Sequence, residues 1–233
     1  MDGCERSADA DGEGNGNAMS VKDQEIVRDL LERHGRTFAE QAGIRLSDRP
    51  GPLYQLLVLS TLLSARISAE VAVAAARELF RAGLRSPQAM QAAGWQDRVD
   101  ALGRGHYRRY DERTATMLGD SAQLCIRRWN GDLRRLRSQA GGEPVKLRAL
   151  LTEFPGIGPT GADIFVREVQ AVWPEYEPFL DGKVRAGAAR LDLPSTPEAL
   201  ARLVDPTDLP RLASALVRVS LDRRRRELRS RSQ

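Results

Sequence analysis

The sequence predicts an all-α fold. Apolar residues recur at three- and four-residue steps along most of the 233-residue chain, no segment shows the alternation typical of strands, and short Pro- and Gly-containing segments separate the periodic stretches. With 41% hydrophobic residues, the chain can bury a core without covalent cross-links. We expect roughly nine or ten short helices from this periodicity.

The predicted helices follow one another along the chain. Segment 53–65, "LYQLLVLSTLLSA", is apolar on nearly all sides, which predicts a buried central helix. The other apolar faces comprise Val27, Leu30 and Leu31; Ala115, Leu118, Ala122, Cys125, Ile126 and Trp129; Leu147, Leu150, Leu151 and Phe154; Ala162, Phe165, Val166, Val169 and Val172; and Leu209, Leu212, Leu216 and Val217. Breaks are predicted at 48–52, 85–87, 130–132, 141–144 and 173–178, and Ser195 with Glu198 resembles a capping box that begins a late helix.

Cysteine usage and hydropathy exclude several classes of protein. The two cysteines, Cys4 and Cys125, are far apart in sequence and form neither a C-x-x-C pair nor a disulfide framework. No stretch approaches the roughly 18 consecutive apolar residues of a membrane-spanning helix. We therefore expect a cytoplasmic protein with no membrane partner, associated with the nucleoid if the chain is bacterial, and a monomer.

The charge is unevenly distributed. Residues 1–19 are acidic and rich in Gly, Asp and Asn, and we expect this leader to be disordered. The remaining chain is therefore more basic than the net charge of +4 indicates, and only three of the 36 lysine and arginine residues of the whole chain are lysines. The arginine excess fits either coding bias or phosphate binding. The basic tail, 222–233, is either a solvated helix end or an arm that binds phosphates.

One interruption of the helical pattern predicts an anion site. Segment 153–165, "EFPGIGPTGADIF", places Gly156 and Gly158 between two helical stretches. Glycines permit unusual backbone angles and close approach by another molecule, and the following helix directs its free N–H groups and positive dipole end at the same place. Such a helix-hairpin-helix can bind a DNA phosphate, although an ordinary helix–helix turn has the same composition.

A second motif gives this hairpin a family context. About twenty residues further on, "EPFLDGKVRAGAARL" (177–191) places Asp181 between an apolar residue and a helical stretch. With the buried helix and the hairpin, this segment resembles the helix-hairpin-helix superfamily of DNA glycosylases, and in particular endonuclease III, over roughly residues 25–195. The resemblance implies two helical lobes with a cleft for double-stranded DNA between them: a terminal lobe of 20–45 plus 173–221, and a barrel lobe of 46–172 that ends in the hairpin.

The resemblance also assigns site residues. It implies that Pro155, Gly156, Ile157 and Gly158 hold a phosphate, with a monovalent cation as a candidate at the hairpin, and that Arg66 probes the duplex where endonuclease III inserts a glutamine. Lys183 is expected to contact phosphate or solvent.

Two departures from the family bear on chemistry. Bifunctional members carry a lysine where this chain has Thr160, and a hydroxyl cannot form the imine that strand cleavage requires. Lys183 is the one lysine near enough in sequence to replace it. The chain also lacks the C-terminal cysteines of members with an iron–sulfur cluster, so we expect no cluster and no other cofactor.

Asp181 is the predicted catalytic residue. A carboxylate in the cleft can activate water or stabilise the positive charge that develops on the sugar, although aspartate equally suits a helix N-cap. Tyr107 and Tyr110, in an arginine-bearing loop, either stack on an extruded base or pack on the surface. With Thr160, these tyrosines are the predicted pocket residues.

The sequence thus supports a primary interpretation and two alternatives. The first is a monofunctional DNA glycosylase that hydrolyses the N-glycosidic bond of a damaged or mispaired base flipped from duplex DNA. The second is a DNA-binding protein that keeps the hairpin and lacks the chemistry. The third is a helical protein-interaction domain with a basic tail.

Overall fold

The computed structural model describes residues 20–222. The predicted disordered leader, 1–19, and the basic tail beyond Asp222 lie outside the described residues. None of the helices between residues 20 and 222 has both the length and the apolar character needed to cross a membrane.

The described chain consists of helices and connecting turns. Residues 20–222 contain no β-strand, and the all-α prediction is confirmed. Thirteen α-helices occur in this range: α1 (Val21–His34), α2 (Phe38–Gln41), α3 (Pro50–Leu63), α4 (Ala69–Arg81), α5 (Pro87–Ala92), α6 (Trp95–Arg104), α7 (Asp111–Trp129), α8 (Leu133–Ala140), α9 (Pro144–Thr152), α10 (Pro159–Val169), α11 (Gly182–Ala189), α12 (Pro197–Ala201) and α13 (Leu209–Leu221). Two 3₁₀ turns, Pro174–Tyr176 and Pro206–Asp208, complete the order.

The helix count exceeds the expected nine or ten because several helices are too short to show a period. Helices α2 and α12 have four and five residues, less than two turns each. Capping residues define them instead: the Thr37 side chain accepts a hydrogen bond from the Glu40 amide, and Thr196 accepts one from the Ala199 amide. The late helix is therefore capped by Thr196, one residue after the Ser195 of the sequence prediction.

Helix α3 forms the centre of the fold. It begins at Pro50, inside the segment predicted as a break, because prolines in the first helical turn interrupt no hydrogen bond. Its apolar side chains are almost fully buried. The buried Tyr54 hydroxyl meets no partner among residues 20–222, whereas the buried hydroxyls of Ser60 and Thr61 donate hydrogen bonds to the carbonyls of Leu56 and Leu57. A helix covered on nearly all sides can satisfy its polar groups internally in this way.

Two sets of helix contacts position the site. Helix α10 packs on α3 and α9, and α13 packs on α1 and α11. The contact between α11 and α13 is so close that a Cβ atom on Gly187 would lie 2.0 Å from the Leu216 carbonyl oxygen. Glycine at 187 thus allows the two helix backbones to touch. The proposed lobe boundaries remain a prediction.

A buried carboxylate links α2, α10 and α13. Glu168 of α10 accepts hydrogen bonds from the Ala39 amide at 3.0 Å, from the Phe38 amide at 3.4 Å and from the Ser214 hydroxyl at 3.0 Å. A buried charge is tolerated where several donors surround it. Glu168 therefore fixes the short helix α2 against α10.

We expect Gly187→Ala to lower the free energy of unfolding by about 1–3 kcal/mol or more, because the added methyl group must push α11 away from α13. Urea unfolding followed by circular dichroism measures the change. Gly103→Ala is the matched control, since no atom lies within 4 Å of the added methyl group and α6 should gain up to about 1 kcal/mol. Equal stability of the two variants would contradict the close contact.

Candidate DNA interface and active site

The hairpin between α9 and α10 depends on one glycine conformation. Gly156 has a φ of +88°, in the left-handed region, and a Cβ atom there would lie 3.0 Å from the Thr61 methyl group. Gly158, in contrast, has a φ of −93°, which any residue can adopt, and a Cβ atom there would meet nothing within 4 Å. The unusual backbone angle that the sequence suggested for both glycines is therefore present at Gly156 and absent at Gly158, beside which the space is open.

Two of the four predicted hairpin residues have no backbone N–H group free to bind a phosphate. Pro155 has no N–H group, and the Ile157 amide donates to the Phe154 carbonyl while the Ile157 side chain is buried. The N–H groups of Gly158 and Thr160 meet no acceptor among residues 20–222, and both residues are exposed. The donors at the start of α10 are thus the helix-terminal amides that suit an anion.

A cavity of about 700 Å³ opens beside the hairpin. Its lining includes Pro155, Gly156, Ile157 and Gly158, together with Arg66, Tyr107, Tyr110 and Arg113. Arg66 is exposed, as a residue that probes the duplex requires, and the Arg109 guanidinium lies 5.3 Å from the centre of the Tyr110 ring. The structure therefore brings Arg66, Tyr110 and the hairpin to one surface.

Tyr107 does not fit the stacking role that the sequence left open for it. Its side chain is only 2% exposed, and its hydroxyl forms a 3.1 Å hydrogen bond with the Thr114 hydroxyl. Burial raises its pKa above the ordinary value. Tyr107 therefore belongs to the core beneath the cavity, and its role is packing.

A second cavity, of about 510 Å³, contains Asp181. Thr160 and Lys183 line it as well, so the predicted pocket residues separate into two groups: Thr160 here, and the two tyrosines in the first cavity. Ser64 and Ala65, in the turn after α3, line both cavities. Much of the remaining wall is apolar, from residues that include Phe38, Leu63, Ile67, Ile164, Val217 and Leu221.

The Asp181 carboxylate is held at both oxygen atoms. Its Oδ1 accepts the Lys183 amide at 2.7 Å and the Val184 amide at 3.2 Å, which makes Asp181 the N-cap of α11. Its Oδ2 accepts a hydrogen bond from the Arg167 guanidinium of α10. The capping role that the sequence left open is present in the structure, and an ion pair is added to it.

Sequence reasoning did not single out Arg167. Its side chain is 4% exposed and that of Asp181 6%, so the pair is buried, and the Arg167 Nε has no partner among residues 20–222. The signal lay in α10, where Thr160, Asp163 and Arg167 follow one another at helical spacing and line the second cavity. Arg167 and Glu168 are adjacent charged residues in an otherwise apolar turn of the helix, and charged side chains are buried only with partners.

Asp163 places a second carboxylate in the same cavity. The Arg148 Nε lies 2.6 Å from its Oδ1, without the alignment of a hydrogen bond, and the side chain stays 27% exposed. Burial raises the pKa of Asp163 above its ordinary value; Arg148 and Arg167 oppose this rise, and the negative charge of Asp181 adds to it.

Within residues 20–222, no three His, Cys, Asp or Glu side chains form a group that could hold a metal ion. The Cys125 thiol is buried on α7, and burial raises its pKa to about 12. Such a thiol is unreactive at neutral pH.

Comparison with known proteins shows a likeness of fold. No family model matches the chain, and no curated protein matches it in sequence. Among solved structures, the chain is similar to a trapped covalent intermediate of endonuclease III with DNA, in an estranged-adenine complex, with 14% sequence identity and a TM-score of 0.51 over 85% of each chain. The protein therefore has an endonuclease III-like fold.

Proposed function

We propose that the protein is a DNA glycosylase that flips a damaged or mispaired base out of double-stranded DNA and hydrolyses its N-glycosidic bond. One observation carries the proposal: the cavity that contains Asp181 lies beside the exposed amides of the hairpin, separated from the first cavity by Ser64 and Ala65. A phosphate bound at the hairpin would hold the duplex next to a pocket with a carboxylate in it.

The hairpin would hold the DNA backbone. The free amides of Gly158 and Thr160 would donate to phosphate oxygens, and Arg66 would enter the gap that the flipped nucleotide leaves. The Phe154 and Gly158 carbonyls each accept one backbone hydrogen bond, so each oxygen keeps a lone pair that suits a monovalent cation at the hairpin.

The second cavity would receive the base. Its volume lies within the ~300–1,000 Å³ typical of small-molecule sites, and its apolar walls would stack on the base and exclude water. Bulky side chains do not fill the space beside Asp181. This favours an enzyme over a protein that only binds DNA.

Asp181 would act on the sugar. A carboxylate has about four lone-pair positions, and the three donors that bind Asp181 leave one on Oδ2. That position can accept a proton from the attacking water, and the anion stabilises the positive charge that develops on the sugar as the base leaves. Arg167 and the two amides position the carboxylate; they also reduce its net charge.

Strand cleavage is not part of the proposed reaction. Thr160 lines the pocket with a hydroxyl that cannot form an imine, and Lys183 projects from the same wall as the N2 residue of α11, next to Asp181. The product would be an abasic site in an uncut strand.

The ion pair between Arg167 and Asp181 favours a second candidate function, that of a DNA-binding protein that catalyses no reaction. An Asp181 that caps a helix and neutralises Arg167 already has a structural role for each oxygen. Such a protein would bind duplex DNA through the hairpin and leave every base in place.

The first test incubates the protein with duplexes that carry oxidised, deaminated, alkylated or mismatched bases, and assays strand breaks before and after hot alkali. The glycosylase predicts breaks only after alkali, and Asp181→Asn should reduce their rate by about 10²-fold or more. Binding without breaks under either condition, for every duplex, would support the second candidate.

A double variant separates catalysis from stability. Asp181→Asn keeps a capping side chain but leaves Arg167 buried without a countercharge, which should cost about 3–5 kcal/mol. Asp181→Asn with Arg167→Met removes both charges and should recover much of that stability while the protein remains inactive. Recovered excision in the double variant would show that Asp181 has no part in the chemistry.

We expect Thr160→Lys to introduce strand cleavage, because the new amine would project into the cavity that contains Asp181. Breaks should appear without alkali, and borohydride should link the variant covalently to the DNA by reducing the imine. Thr160→Met is the control of similar length without an amine. Failure of the lysine variant to form a link would place residue 160 away from the sugar.

We expect Gly158→Leu to weaken duplex binding by about tenfold or more, equivalent to about 1.4 kcal/mol, without loss of stability. The backbone angles suit leucine before a proline and the protein leaves space for it, so the side chain would obstruct only an approaching phosphate. Fluorescence anisotropy with labelled duplex measures the affinity, and Gly103→Ala is the control. An unchanged affinity would exclude the hairpin as the phosphate site.

A further inference from the structure

The second cavity contains two carboxylates, each beside an arginine but bound by different numbers of hydrogen-bond donors. Asp181 accepts three hydrogen bonds, one of them from a guanidinium, and these donors bind it as an anion. The Asp163 Oδ1 is buried, lies 2.6 Å from the Arg148 Nε without the alignment of a hydrogen bond, and accepts no other hydrogen bond from residues 20–222. Where two carboxyl groups share a site but differ in this way, one suits the role of base or anion and the other that of acid.

Asp163 lines the same cavity as Asp181, from a different helix. Asp163 lies on α10, three residues after Thr160 and four before Arg167, so its side chain shares their face of the helix. Asp181 lines the cavity from the start of α11, and the apolar residues Ile164 and Phe38 line it as well. A base in this cavity would meet Asp163 as one of the few polar groups able to reach its edge.

We propose that Asp163 is the general acid of the reaction, a catalytic residue that hydrogen-bonds the flipped base and protonates it as it leaves. This inference rests on the proposed glycosylase function and adds a residue that neither the sequence motifs nor the likeness of fold assigns.

The step is balanced as follows. The bond between the sugar C1′ and the base nitrogen breaks, and its electron pair goes to the base, which takes the Asp163 proton on a ring nitrogen or an exocyclic oxygen. Water forms the new bond to C1′ and releases a proton to Asp181 or to solvent. Asp163 is then reprotonated from solvent, so the reaction needs no co-reactant beyond water.

The charges around Asp163 set the pH dependence. Arg148 on α9 and Arg167 on α10 favour its ionised form, whereas burial and Asp181 favour the protonated form that donates. Lys183 on α11 faces the same cavity. Because burial raises the pKa of Asp163, the acid is present over a wider pH range than for an exposed aspartate, and it is lost as the pH rises through that value.

The test measures the pH dependence of base excision with the protein in excess over the DNA. For wild type, the first-order rate should fall by a factor of ten per pH unit above the pKa of Asp163. Asp163→Asn should lack this decline and should be about 10²-fold slower at the acid end. Arg148→Ala should move the decline to higher pH, because it removes a charge that favours the ionised form; Arg148 is 38% exposed, so this variant should fold.

A leaving-group comparison separates catalysis from a structural role. The neutral base that wild type excises is compared with a ring-substituted analogue that leaves more readily. A general acid matters less for the better leaving group, so Asp163→Asn should slow the analogue less than the parent base. A structural role would slow both bases equally, and that result would overturn the proposal.

Two further outcomes are decisive. An Asp163 carboxyl that titrates in carbon-13 NMR at or below about 3.9, the ordinary aspartate value, would exclude it as an acid whatever the activity. If Asp163→Asn excises the base at a rate within about threefold of wild type and with an unchanged pH profile, this inference is refuted, whereas the proposed glycosylase function is not. Absence of excision from every duplex by wild type would refute the glycosylase, and this inference with it.

Discussion

The buried ion pair between Arg167 and Asp181 is the interaction on which the site depends. It joins α10, which carries the hairpin at its N-terminus, to the first turn of α11, where Asp181 caps two backbone amides. Ions are costly to remove from water, and that cost is offset only where their geometry satisfies them. The pair therefore fixes the relative positions of the two helices, and with them the distance between the hairpin and the carboxylate.

Small residues make this arrangement possible. The backbone of α11 touches that of α13 at Gly187, and the hairpin closes through the left-handed Gly156 against Thr61 of the central helix. The turn at Ser64 and Ala65 then separates the cavity beside the hairpin from the cavity that contains Asp181. Close packing of backbones thus brings the ends of α3, α10 and α11 to one region, where helix termini provide the polar groups.

The pocket chemistry follows from how charge is distributed within it. Arg167 neutralises much of the Asp181 charge, whereas Asp163 lies a helical turn away beside Arg148 and without an aligned donor. Under the proposed function, one carboxylate bound by three donors and one carboxyl group of raised pKa would serve proton transfer as well as charge stabilisation. With Thr160 where the resemblance to bifunctional glycosylases would place a lysine, both effects would contribute to the proposed hydrolysis.

The sequence by itself determined the helical class, the central helix, the hairpin and the capping aspartate, because periodicity, turn residues and caps are local signals. It did not determine that Ile157 is buried, that Tyr107 lies in the core, or that Gly158 needs no special angle. Only the tertiary structure decided that Arg167 and Asp163 share a cavity with Asp181. Their roles depend on burial and on partners from other helices, which the linear order of residues does not encode.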